Sequence, residues 1–347
     1  MTGQTKPSTA DETLAHADDL VADGRALDAI EVLRLANRGL ADPAVERRLV
    51  QVRRAAFDHL EAGSAFDRWP VPVDDLDVDG PARIPEITPS ELDADILRRN
   101  MLAHGSLCVR GLLDEDRVLA FVAGIDTALA VRAEGPGAGL TKHKDQSWFA
   151  ALPLPAAEAQ SLGRHWVAGS GGVLAVDSPR LLFQLFETYK EVGLRKVAAD
   201  YLGERPILSA NKCTLRRVPL TSNTDWHQDG AFLGRGIRAL NVWVALTDCG
   251  VDAPGMDLLP RRLGEIVETG TGGAIFDWAV GPAVVERLAV DAPVVRPEFR
   301  AGDALLFDDM FLHRTAIEPT MTQPRYAIES WFFAPTSYPS GQVPLVW

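Results

Sequence analysis

Two side chains with coordinating chemistry stand two apart in TDWHQDGAFLG, residues 224–234: His227 and Asp229. On a β-strand, residues i and i+2 share a face. An imidazole and a carboxylate so placed suit a metal site, an acid–base pair or a buried ion pair, and the pair alone does not choose among them. A metal reading needs a further ligand folded back from elsewhere. His313 meets that need: it ends the apolar run in GDALLFDDMFLHRT, residues 302–315, and the AGD at 301–303 makes a turn that launches this strand. Two neutral imidazoles and one carboxylate on one face of an Fe(II) ion leave its other positions open for substrate and O2.

If the co-substrate is 2-oxoglutarate, its keto acid end chelates the metal and its far carboxylate needs a cation. Arginine suits that task because its planar fork grips a carboxylate with two parallel hydrogen bonds. Arg325, twelve residues after His313 in QPRYAIESWFF, opens the next strand-like run. Thr315, two residues after His313, adds a hydroxyl for the same carboxylate.

Other elements must bring these positions together. Residues 11–62 are rich in Ala, Leu, Arg and Glu, with Ala26, Ala29, Ile30 and Leu33 at i, i+3, i+4 and i+7, the pattern of an amphipathic helix. Gly24 and the LADP at 40–43 divide this segment into three helices. Gly24, Ala29, Leu33 and Ala36 fall at tetratricopeptide-like spacing, but no second copy follows and such repeats need neighbours. A helical hairpin packed on the main body is therefore expected over 1–62. Five prolines and an acidic run make 63–90 an extended connector. TPSEL then starts a helix with Ser90 as N-cap. Residues 104–113 read as strand, 114–133 as helix and roughly 180–201 as a further helix, whereas glycine-rich 134–178 reads as active-site loops. From 206 onward short β-rich runs alternate with turns, among them TDWHQDGAF and DAPVVRP, which suggests a sandwich or jelly roll. The fold class is α+β, with a β core in the C-terminal half.

WHQDG (226–230), NVWVALTD (241–248), GDALLFDDMFLH (302–313) and the arginine that follows resemble the phytanoyl-CoA dioxygenase family of Fe(II)/2-oxoglutarate oxygenases. RGLLDEDRVLAFVAGID (110–126) is similar to that family's early strand-then-helix element, and the resemblance spans roughly 90–335. It implies a double-stranded β-helix (jelly-roll, cupin-like) core with flanking helices over 91–347. It also implies His227, Asp229 and His313 as catalytic iron ligands and Arg325 with Thr315 on the distal carboxylate. Trp243 matches a position near the co-substrate, and Lys212 or Thr214 of strand 207–217 is a further co-substrate contact. One departure concerns APGMDLLPRRLGEIV (253–267), where a PGSH-like segment is usual. Here Arg261 and Arg262 mark either a different substrate contact or a solvated turn.

The expected activity is hydroxylation of a C–H bond in a small organic molecule or acyl thioester, with 2-oxoglutarate and O2 consumed and succinate and CO2 released. Asp229 favours hydroxylation, because halogenases of this superfamily carry a small residue there. Two alternatives stay open: a metal-dependent jelly-roll isomerase or epoxidase that does not use 2-oxoglutarate, and a non-catalytic scaffold binding partners through its N-terminal helices. A net charge of −13 disfavours nonspecific nucleic-acid binding. No apolar run reaches the ~20 residues that span a bilayer, and the N-terminus lacks a secretory pattern, so a cytoplasmic protein is expected. Cys108, Cys213 and Cys249 are too scattered for a disulfide framework and are expected to be reduced and buried. Trp226 reads as core. Lys142, His143 and Trp148 in KHKDQSW, and His165, are ambiguous between solvated loop and substrate cover. Arg216 and Arg217 should face opposite sides of their strand. The N-terminal helices offer a surface for a homodimer or a carrier protein, and specificity is expected in 134–178 and 250–290.

Overall fold

The computed structural model describes residues 9–61, 63–74, 76, 82–134, 146–221 and 224–347. Its first elements are helices α1 (Ala10–Ala22), α2 (Ala26–Leu40) and α3 (Pro43–Ala56), as the apolar spacing predicts. A reciprocal Thr9–Glu12 capping box opens α1, and the Asp42 carboxylate accepts from the Ala44 and Val45 amides ahead of Pro43 at the first turn of α3, satisfying otherwise orphaned donors. The three apolar faces meet in one cluster, including Leu20, Ile30, Leu33 and Leu49, that closes on Ile207 and Val346 of the main body. α3, the helix beyond the expected hairpin, packs against β10 and α8 of the body. Buried or half-buried ion pairs fasten the seam: Arg34 to Glu187 at 2.9 Å, Arg180 to Glu46 at 2.9 Å and Arg54 to Glu158 at 2.9 Å.

The stretch expected as a connector ends in structure, with β1 at Glu86–Ile87, and is followed by α4 (Ala94–His104), β2 (Ser106–Val109), α5 (Glu115–Glu134), the short helices α6 (Ala156–Ser161) and α7 (Arg164–Gly169), β3 (Gly172–Leu174), α8 (Pro179–Glu191) and α9 (Leu194–Leu202). Three sequence expectations need correcting here. Ser90 does not cap α4: Thr88 closes a capping box on a single 3-10 turn, the chain extends at Leu92, and the Asp93 carboxylate caps α4 through the Ile96 amide. The helix expected over 180–201 is two helices, because Gly193 adopts φ 79° between them. The 134–178 stretch includes α6, α7 and β3, while Lys142 and His143 lie outside the described residues.

The β core follows: β4 (Ile207–Val218), α10 (Gly230–Leu233), β5 (Ala239–Ala245), β6 (Gly255–Leu258), α11 (Pro282–Leu288), β7 (Ala304–Phe307), β8 (His313–Ala316), β9 (Arg325–Phe333) and β10 (Pro344–Val346). Among the described residues the large sheet runs β1-β2-β7-β5-β9-β4-β10, with β3 also paired to β4. The small sheet pairs β6 with β8. Single bridges extend it, from His227 to His313 on one side and from Leu258 to Val295 on the other. Successive segments from β4 to β9 thus alternate between large and small sheets, the winding of a double-stranded β-helix. Side chains of both sheets share one core that includes Leu240, Val242, Leu258, Phe307 and Trp331.

Two predicted strands shrink to bridges. DAPVVRP contributes only residue 295, and TDWHQDGAF only residue 227. The AGD turn behaves as expected: Asp303, buried, accepts from the Gly111 and Arg300 amides and from Arg110. Gly302 sits at φ 95°, where a Cβ would run into the Leu113 carbonyl. The three cysteines are free and buried. No described helix is long and apolar enough to cross a membrane.

Candidate active site

His227, Asp229 and His313 each offer one ligand atom, and the three atoms lie within 4.8 Å of one another. Strand alternation is not what unites the first two. His227 exchanges backbone hydrogen bonds with His313 at 3.0 and 3.1 Å, whereas Asp229 is already helical (φ −62°, ψ −28°) at the start of α10. The chain turns immediately after the bridge, and that turn swings the carboxylate back over the imidazoles. Gly230 allows it, since a Cβ there would meet Ile266 Cδ1 at 2.7 Å and Asp309 Oδ2 at 2.9 Å.

The protonation of both imidazoles follows from their partners. His227 Nδ1 lies 2.8 Å from the Asp225 carbonyl and His313 Nδ1 3.0 Å from the Phe311 carbonyl. A carbonyl only accepts, so each Nδ1 carries the proton and each Nε2 keeps its lone pair, the arrangement by which metal-ligating histidines are oriented. Burial, then the neighbouring His313, pushes His227 down to about 4, which keeps it neutral at physiological pH. Asp229 Oδ2 is buried with no protein hydrogen bond and stands 3.8 Å from His313 Nε2. An orphaned carboxylate oxygen is expensive to bury, and beside two imidazole lone pairs it makes a donor set that fits a divalent metal of the Fe(II) type.

Gln228, between the two, points away as expected, and its amide has a structural task that sequence reasoning missed. Buried, it donates to the Glu265 and Met310 carbonyls at 3.1 and 2.8 Å and accepts from the Val267 amide at 2.8 Å. It ties the loop after β6 to the β7–β8 loop directly behind the ligand turn.

Arg325, at the start of β9, is 2% exposed. It donates to the Pro254 and Gly255 carbonyls at 3.2 and 2.8 Å, its Nε is buried without a partner, and Trp243 covers the guanidinium at 5.4 Å. Among the described residues no carboxylate lies within 4 Å of it. Burial pulls its pKa down to about 10, so the group remains a cation. A buried, unpaired guanidinium calls for an anion. Thr315 shares the face of His313 on β8 and is paired in register with Met256, the residue after Gly255, whose carbonyl Arg325 contacts.

Lys212 and Thr214 are also brought to this chamber but have other engagements. Lys212 Nζ lies 3.7 Å from Asp229 Oδ1 and 4.2 Å over the Phe232 ring. Thr214 Oγ1 donates at 3.2 Å to Glu329, which also accepts from Trp331 Nε1 at 3.2 Å. Glu329 stands four residues after Arg325 on the same strand face, a spacing that would have revealed it. Arg216 turns a buried Nε inward while Arg217 is exposed and pairs with Asp126 at 3.5 Å, the division expected of strand neighbours. Arg262 is no solvated turn: it is half-buried and paired to Asp308 at 2.7 Å. Trp226 is core, Trp148 packs beneath Arg180 at 5.5 Å, and His165 is exposed.

Among curated proteins no sequence matches this chain. Solved structures that it resembles include the non-haem alpha-ketoglutarate-dependent carbocyclase SnoK from nogalamycin biosynthesis, at 19% identity over 73% of this chain and 87% of that one, TM-score 0.46. EctD from S. alaskensis with 2-oxoglutarate and 5-hydroxyectoine is similar at 16% identity over 80% of this chain and 87% of that one, TM-score 0.46. The phytanoyl-CoA dioxygenase (PhyH) family model matches residues 101–320, a span that holds β5 to β8, the AGD turn and all three residues of the His–Asp–His cluster, and the chain belongs to that family.

Proposed function

We propose that the protein is an Fe(II)- and 2-oxoglutarate-dependent dioxygenase that hydroxylates a C–H bond of a small organic substrate. The observation that supports this best is the pairing of two orphans in one barrel: a buried carboxylate oxygen beside two imidazole lone pairs, and a buried guanidinium without a counter-ion. The first asks for a cation and the second for an anion.

In this reading His227 Nε2, Asp229 and His313 Nε2 hold iron. When bound, iron with 2-oxoglutarate and O2 supplies the oxidising power, and succinate and CO2 leave with the hydroxylated product. The chain's own part is binding and orientation. Arg325 takes the distal carboxylate, Trp243 shields that ion pair from water, and Thr315 adds a hydroxyl on the way. Lys212, 3.7 Å from Asp229 Oδ1, sets a cation beside the carboxylate. The carbonyls of Asp225 and Phe311 fix both imidazoles in the ligating tautomer. The packing of Phe307 against His313, 4.9 Å between centroids, lowers the local dielectric, which strengthens every charge interaction inside.

The test is stoichiometric. Purified protein is loaded with Fe(II) and given 2-oxoglutarate, and succinate formation is measured against O2 uptake, with slow uncoupled turnover expected even without substrate. Iron bound without any affinity for 2-oxoglutarate would favour a metal-dependent isomerase or epoxidase. No iron bound at all would leave the β domain without the proposed chemistry.

A further inference from the structure

Four of the twelve large apolar side chains exposed among the described residues lie together beside the ligand cluster: Phe232, Ile275, Phe276 and Trp278. Three of them are aromatic and keep 43%, 51% and 40% of their surface in solvent. Scattered exposed apolar residues need no explanation, but a contiguous patch at the rim of a site does.

The rings are ordered relative to one another. Phe276 stacks on Trp278 with centroids 5.2 Å apart and planes 6° from parallel. Phe232 meets Trp278 edge-on at 6.4 Å and 82°. Trp278 in turn stands 5.9 Å from the His227 ring at 84°, and Phe232 lies nearly parallel to His227 at 6.2 Å. The result is a right-angled aromatic corner with His227 at its inner edge. Both walls are anchored to the ligand segment. Phe232 sits on α10, three residues after Asp229. The loop bearing Phe276 and Trp278 is held by hydrogen bonds from the Val280 amide to the Trp226 carbonyl at 2.8 Å and from the Ile275 amide to Asp225 at 3.3 Å.

We propose that the substrate is a planar, predominantly aromatic molecule seated in the corner formed by Phe232, Phe276 and Trp278. This rests on the reading of His227 as a ligand at the reaction centre, and it adds the substrate class. Two perpendicular ring walls suit a flat guest, which stacks on one wall while presenting its edge to the other, the two arrangements that aromatic pairs favour. Lys212, the cation that flanks the corner, lies 3.7 Å from Asp229 Oδ1 and 4.2 Å over the Phe232 ring, so its charge already faces a carboxylate and a π-face and the corner favours shape and π-surface over an anionic group. A flexible aliphatic chain would gain contact area here but nothing from ring geometry.

The test compares 2-naphthol, a planar probe, with decan-1-ol, an aliphatic one, by calorimetric titration of the full chain with and without Fe(II). Naphthol is expected to bind, and Trp278→Ala and Phe232→Ala each to weaken it about tenfold, the loss of one ring contact. Trp278→Leu, which keeps apolar bulk, should weaken naphthol nearly as much while leaving decanol unchanged. Equal naphthol affinity in wild type and both alanine variants would overturn the proposal. So would decanol binding as tightly as naphthol with the same sensitivity to Trp278. A wild-type dimer that Trp278→Ala converts to monomer would make the corner a subunit contact and also overturn it. Iron affinity is titrated separately. Its absence, with naphthol binding intact, would sink the metal reading and leave the aromatic site standing.

Discussion

Arg325→Met should make the unliganded protein no less stable while nearly abolishing 2-oxoglutarate binding, and the opposition of those signs is the test. The guanidinium is 2% exposed and its two polar contacts are neutral carbonyls. Burial lowers its pKa to about 10, so at pH 7 the fold holds a desolvated charge with no carboxylate within 4 Å of it among the described residues. Replacing buried ionic groups with apolar residues of similar volume is commonly neutral or stabilising by about 1–4 kcal/mol. Methionine fills the space against Trp243, and the Pro254 and Gly255 carbonyls lose a donor at about 1–3 kcal/mol, so the net change should lie near zero or slightly above.

Binding runs the other way. Removing one partner of a buried charge pair costs about 3–5 kcal/mol, which at about 1.4 kcal/mol per decade is roughly a hundredfold to several thousandfold in Kd. Differential scanning fluorimetry reads both effects. With 2-oxoglutarate at 100 times its wild-type Kd, the wild type gains about 2.7 kcal/mol, on the order of 5 °C in a chain of this size. The variant should gain at most about 0.4 kcal/mol, under about a degree, while its unliganded Tm stays within a degree or two of wild type. If Arg325→Met instead unfolds the protein by several kcal/mol, the arginine is a structural brace for β6 and the anion-site argument fails.

The remaining predictions concern the ligand turn and its surroundings. Asp229→Ala should lower iron affinity at least a hundredfold by elemental analysis after dialysis, with the apo fold intact because Asp229 Oδ2 makes no protein hydrogen bond; iron retained at full stoichiometry would remove Asp229 from the site. Gln228→Ala severs three buried hydrogen bonds and strands their backbone partners, so urea unfolding should show a loss of about 2–4 kcal/mol. Asp309 is pushed up to about 7 by burial, with the adjacent Asp308 adding to it. The folded protein therefore holds a proton that the unfolded chain has released between pH about 4 and about 7, and stability from this group falls as pH rises through that window. Asp309→Asn should accordingly gain stability relative to wild type between pH 5 and pH 8 in the metal-free protein, and a pH-independent difference would refute the assignment.

What was legible in the sequence follows the range of the interactions involved. His313 and Arg325 could be singled out because the proposed chemistry demands specific residue types in order, and the structure groups His313 with His227 and Asp229. The jelly-roll core was readable because its strands alternate or run apolar and are punctuated by turns such as AGD, whose aspartate closes its own hydrogen bonds. The geometry joining His227 to Asp229 was not. Strand periodicity puts both on one face, yet the chain leaves the strand at once, and what fixes the turn is Gln228 reaching partners 37 to 82 residues away. Ser90 lost to Asp93 for a different reason: two capping signals compete within four residues, and only packing of Leu97 and Met101 decides which starts the lasting helix. The aromatic loop at 275–278 has no periodicity at all, and its placement depends on hydrogen bonds to residues 225 and 226.

The distribution of unsatisfied polar atoms gives these pieces a common cause. Of the eleven buried side-chain polar atoms without a partner among the described residues, five belong to Arg216, Asp229, Asn241 and Arg325. Arg216, Asn241 and Arg325 lie on β4, β5 and β9, adjacent in the large sheet, and Asp229 lies on the turn that closes over them. Each such atom is destabilising by about 1–3 kcal/mol when nothing meets it, and folding alone would favour apolar replacements. Asn241 illustrates the point, being 0% exposed with both its donor and acceptor idle and Trp331 and Phe307 as its cross-strand neighbours. The strands around it are otherwise filled with Leu, Val, Ile and Phe, which supplies the stability that the chamber forgoes. Groups of both charges and a neutral amide, buried in the β core with these atoms unpartnered among the described residues, are preorganised for a guest that offers a cation and an anion together. A metal ion with a dicarboxylate meets that description, and a metal alone or an organic acid alone would leave half of the groups unsatisfied.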